Sequence, residues 1–92
     1  MSETKPKELL AQAGRDMAGA FSARLCAIGV ELGIFKDLDR NGRSTSEQIA
    51  TRMGLNERYL REWLHGIVLS GYVEFDKTTR EAWLSVQQAQ VL

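Results

Sequence analysis

Ninety-two residues leave room for one domain with one core, burying roughly 60 to 65% of the unfolded surface. Twelve lysines and arginines balance twelve aspartates and glutamates, so no global positive field exists to draw in a polyanion. The single cysteine, Cys26, excludes an internal disulfide and a structural zinc set and fits a reducing, cytoplasmic setting. The opening MSETKPKELL lacks a signal-peptide core, and no apolar run approaches the ~20 residues of a membrane span.

The first five residues after the initiator, Ser2 to Pro6, are polar and read as a frayed start. Leu9, Ala13, Met17, Phe21, Leu25, Ile28 and Leu32 then recur at helical spacing, predicting a helix from about Lys7 to Leu32. Gly14 and Gly19 interrupt it, each costing ~1 kcal/mol relative to alanine, so a break or bend is expected near them. A second row, Ala20, Ala23, Ala27 and Val30, lies beside the first, leaving Ser22, Arg24 and Glu31 as the few polar positions after Phe21. A small domain covers one face of such a helix and hardly two. The uncovered face marks an interface, and its small residues suit close, symmetric pairing with a second copy. The expected homodimer surface is Met17, Ala20, Phe21, Arg24, Leu25 and Ile28. The competing reading is a central helix buried by its own chain.

Gly33 ends that helix, and Ile34, Phe35 and Leu38 form a further turn or two facing inward before the loop Asn41-Gly42-Arg43. Thr45 with Gln48 three residues on is a capping box, and Ile49, Ala50 and Met53 follow on one face. Gly54 supplies the sharp turn, and Asn56 caps the next helix. Tyr59, Leu60, Trp63, Leu64, Ile67 and Val68 give that helix its apolar face until Gly71. Two short helices with a tight turn make a helix-turn-helix. Tyr72 to Phe75 alternates, Asp76 to Arg80 is turn-like, and Ala82 to Val86 is a second extended run, which together predict a wing. The fold class is therefore mainly α with a small β-hairpin, a winged helix-turn-helix, over residues 15–86. Residues 1–14 form a polar arm and the start of the first helix; residues 87–92 begin a C-terminal helix or linker that looks truncated.

No catalytic constellation assembles from these residues. His65 has no carboxylate or cysteine at ligand spacing, and Cys26 has no visible base, so a solvated histidine and an inert thiol are expected. Trp63 and Trp83 are read as core residues. Glu57, Arg58, Arg61 and Glu62 alternate in sign, as solvated helix faces do. No glycine-rich phosphate cradle is present. In a DNA-reading version of the module, Asn56, Arg58 and Arg61 would face the major groove with Lys77 and Arg80 on the wing. Glu57, Glu62, Glu74 and Asp76 would repel the same phosphates.

Several of these segments carry a resemblance. Leu32-Gly33-Ile34-Phe35, Thr45 to Ala50, Gly71-Tyr72-Val73-Glu74 and above all Gly54 to Leu64, GLNERYLREWL, resemble the N-terminal winged-helix domain of class I S-adenosylmethionine-dependent methyltransferases. That domain is related to the dimerisation domain of small-molecule O-methyltransferases. The resemblance covers about Arg15 to Leu92. It implies a non-catalytic dimerising module that helps close the substrate pocket of a following Rossmann-like domain, without binding the methyl donor itself. The donor-binding glycine loop and the acidic ribose ligand of the family have no counterpart in these residues. S-adenosylmethionine would therefore belong to a full-length relative, with the catalytic domain supplied in cis or in trans. A stand-alone adaptor working with such a methyltransferase is a further form of this reading. The alternative from a different class is a small winged-helix transcription regulator.

Overall fold

The computed structural model describes residues 4–92. Helix α1 spans Thr4–Leu32, α2 Ile34–Asn41, α3 Ser46–Met53 and α4 Glu57–Leu69; strands β1 (Glu74–Asp76) and β2 (Glu81–Trp83) follow, and α5 (Val86–Val91) closes the order. This is a winged helix-turn-helix, with a two-stranded antiparallel wing pairing Glu74 with Trp83, Phe75 with Ala82 and Asp76 with Glu81.

α1 runs through Gly14 and Gly19 without the expected break. Both glycines open onto empty space, so nothing inserts into the helix there to exploit their weakness. The start is also more ordered than expected: Pro6 sits in the first turn, where its missing N–H has no partner to lose. The part of that expectation concerning Ser2 and Glu3 lies outside the described residues. At the other end Gly33 adopts φ +80°, and α2 leaves at 68° to α1. The sharp corner folds Ile34, Phe35 and Leu38 back under the domain, where all three are buried.

The helix-turn-helix forms as its sequence dictates. The Thr45 hydroxyl accepts from the Gln48 N–H at 3.2 Å while the Gln48 side chain accepts from the Thr45 N–H at 2.9 Å. Gly54 takes the left-handed conformation, and the Asn56 side-chain oxygen caps α4 by accepting from Tyr59 N–H. Ile49, Ala50, Leu60, Trp63, Leu64 and Ile67 form the core between α3 and α4. Tyr59 is a correction: it is 71% exposed, because it lies on the flank of the stripe one position before Leu60.

α1 and α4 meet more closely than side chains on both would permit. A Cβ at Gly29 would lie 2.5 Å from the Phe35 ring and 2.7 Å from that of Trp63; one at Gly66 would lie 2.7 Å from Leu25. Within this seam the Trp63 indole N–H donates to the Leu25 carbonyl at 2.8 Å, and the Phe35 and Trp63 rings pack tilted, 5.5 Å apart. Arg52 clamps α3 to α2 by donating to both Asp37 carboxylate oxygens and to Ser44 Oγ.

The wing is shorter than the predicted runs, but it is braced from outside. Buried Ser44 exchanges both backbone bonds with Ala82, so the loop before α3 lies against β2. Trp83 is another correction: it is half-buried, and Arg43 stacks on its ring at 4.0 Å. Val86 does not extend β2 but opens α5, since Ser85 and Gln88 form a second capping box that starts a helix there. Asp76 accepts from the Thr78 and Thr79 N–H groups and pairs with Arg43 at 3.2 Å. The two backbone N–H donors, aided by Arg43, hold its carboxyl below the usual carboxylate range.

The seam and the wing each predict a stability change. Gly29→Ala should destabilise the fold by about 1–3 kcal/mol through overpacking, whereas Gly19→Ala should leave it unchanged or add up to ~1 kcal/mol; urea unfolding of both variants checks the contrast in sign. Because the Asp76 carboxyl is depressed in the folded state, its contribution is present at neutral pH and disappears as pH falls through the folded value. Asp76→Asn should therefore unfold more easily than the native chain at pH 7, and the two should converge below about pH 4 in thermal melts.

Candidate functional site

Two surfaces hold the residues singled out from sequence. The first is α1. From Lys5 to Phe21 every side chain is exposed, including Leu9 (66%), Leu10 (75%), Met17 (72%) and Phe21 (63%). Only the stretch from Ser22 to Leu32 lies on the domain, where Ser22 also hydrogen-bonds Ser70 at 2.8 Å. The molecule measures 56 × 28 × 27 Å. A globule about as long as it is wide, plus the ~27 Å of an eighteen-residue helix from Thr4 to Phe21, accounts for the long axis.

Of the six residues expected on the pairing face, Met17, Ala20, Phe21 and Arg24 are exposed and Ile28 is half-buried. Leu25 is the correction, at 9% exposure, because the absence of a side chain at Gly66 lets α4 close over it. Where the arm joins the domain, Phe21, Leu25, Ile28, Leu32 and residues of the α3–α4 turn and α4 line an apolar groove of about 490 Å³. Sequence analysis missed this groove. Its α4 wall includes Tyr59 and Trp63, two residues whose apolar periodicity signals burial rather than a surface.

The second surface is the helix-turn-helix with its wing. Asn56, Arg58, Arg61, Lys77 and Arg80 are all exposed, and each of the first three has one local partner. The Asn56 side chain caps α4. Arg58 pairs with Glu62 at 3.7 Å and Arg61 with Glu57 at 3.8 Å, both across one helical turn. Glu57 in turn accepts from the Ser46 hydroxyl at 2.6 Å, which fixes its carboxylate at the α3–α4 junction. On the wing Arg43 bonds both Asp76 and Glu81. Exposed pairs of this kind contribute little to stability, but they do cancel charge where a phosphate backbone would lie.

Arg61 and Arg80 do converge, on a cavity of about 120 Å³ floored by Leu64, Val68 and Phe75 and edged by Glu47 and His65. Arg80 reaches it from a left-handed backbone, φ 61°. Its charge acts on Glu47, whose carboxyl is held low mainly by a backbone hydrogen bond. Two arginines and the Glu47 carboxylate thus share the rim of the opening. Lys77 lies outside this cavity.

Cys26 is half-buried on α1, and burial pushes its thiol up, away from the reactive thiolate. His65 is exposed on α4. Among the described residues no group of three or more His, Cys, Asp or Glu is placed to hold a metal ion, and no single helix is long and apolar enough to cross a membrane.

A search of curated proteins finds no match to the chain. Residues 20–92, which take in the seam, the helix-turn-helix, the wing and α5, match the Rv2258c-like winged HTH domain. With its capped helix pair, its hairpin and this match over most of its length, the chain belongs to the Rv2258c-like winged HTH domain family.

Proposed function

We propose that this winged helix is a non-catalytic dimerisation domain of the kind that accompanies S-adenosylmethionine-dependent methyltransferases, and that the free face of α1 is its pairing surface. The observation that carries the reading is the arm: a helix presenting Leu9, Leu10, Met17 and Phe21 to solvent within its first eighteen residues. An unpaired helix of that length is marginal in water, and most helical stability comes from packing an apolar face. Burial of ~600 Å² of apolar surface at ~25 cal/mol per Å² would give on the order of 15 kcal/mol, set against ~4–15 kcal/mol lost on association. A second copy is thus energetically sufficient to cover the face.

The methyltransferase part of the reading is supported by the resemblance of GLNERYLREWL and its flanking segments. In such an assembly the domain would join two copies and help close a substrate pocket. The methyl donor and the reacting groups would be held by a catalytic domain acting in cis or in trans.

The regulator reading requires Asn56, Arg58 and Arg61 to face phosphates and bases. Their engagement with Tyr59 N–H, Glu62 and Glu57 speaks against it.

Phe21→Glu and Met17→Glu, both exposed in the monomer, should convert a dimer to folded monomers in sedimentation equilibrium; an unchanged oligomer would remove α1 from the interface. Random duplex DNA should show no mobility shift at low salt. A salt-dependent shift abolished by Arg58→Ala with Arg61→Ala would transfer the assignment to a DNA-binding regulator.

A further inference from the structure

We infer that two copies pair by laying the free arm of each α1 into the groove of the other, antiparallel, about a two-fold axis at Phe21. The inference rests on the dimerisation reading above and adds to it the partner surface and the register. Each copy has one unfilled apolar groove and one uncovered apolar helix, joined at Phe21, which belongs to both. An isologous contact satisfies both at once, and does so twice.

The spacing of the stripe fixes the register. Met17 and Leu25 lie four residues either side of Phe21, Gly14 and Ile28 seven, and Leu10 and Leu32 eleven. Offsets of four, seven and eleven stay on one helical face. Antiparallel pairing about Phe21 therefore sets Met17 over the groove floor of the other copy at the position of Leu25, and Leu10 over the groove end at Leu32. Gly14 falls opposite Ile28, and the space around Gly14 is empty, so the backbones approach where the facing side chain is branched. Around the groove Tyr59 and Leu32 stand exposed at 71% and 50%, ready to be covered by an incoming helix.

The test is cross-linking of the full chain in a Cys26→Ser background, with Leu10→Cys and Leu32→Cys introduced singly and together. The reagent is a bis-maleimide about as long as the ~8–10 Å between packed helix axes. Within one copy the two sites are twenty-two residues apart on one helix, ~33 Å, so the reagent cannot join them internally. The double variant should become covalent dimer nearly completely, and each single variant should remain uncross-linked, since like sites would also lie ~33 Å apart. Covalent dimer from Leu10→Cys alone would mean parallel pairing and overturn the inference. A dimer in sedimentation with no cross-link in the double variant would overturn the register while leaving dimerisation standing; a monomer at every concentration would overturn both.

Discussion

The Trp63 indole N–H reaches the Leu25 carbonyl at 2.8 Å inside a seam where Gly29 and Gly66 admit no side chain. That contact anchors the second half of α1 to α4, and it determines what is left over. The corner at Gly33 turns the chain beneath the seam, Phe35 packs on Trp63, and α3 and the wing join the same core. Nothing in the described chain returns to cover the first half of α1. The arm is free because every other element is committed to the globule at its base.

The wing side shows the opposite economy. Several of its charges are matched to neighbours, Arg43 with Asp76 and Glu81, Arg58 with Glu62 and Arg61 with Glu57, whereas Lys77 and Arg80 make no ion pair among the described residues. A neutral composition is compatible with a local basic stripe, yet here acids and bases alternate at the scale of single helical turns. Strong surface potential and strong apolar exposure are thus separated in this molecule. The first is cancelled on the helix-turn-helix, and the second is concentrated on α1.

Much of the fold was legible in the sequence because its signals are local. Thr45 with Gln48, Gly54 and Asn56 specify caps and a turn through atoms a few residues apart, and each forms as its sequence indicates. What was not legible depends on partners distant in the chain. The depth of Leu25 depends on a glycine forty-one positions later. Trp83 is half-buried with Arg43 stacked on its ring, and β2 gains a second backbone partner at Ala82 from Ser44, in the loop before α3. Val86 illustrates a local competition: β-branched residues favour strands, but the Ser85 and Gln88 capping box outweighs that preference. The exposed face of α1 was visible as excess apolar surface, whereas the groove beside it needed the corner at Gly33 and the start of α4 to be placed in space.

If the α1 arm is helical because another copy covers it, its backbone protection must depend on association. Hydrogen exchange of the amides from Leu10 to Ala20, measured over a range of protein concentrations, tests this directly. Protection that rises with concentration while that of the α4 core stays constant is the predicted result. Rapid exchange of the arm at every concentration, or protection independent of concentration, would contradict it.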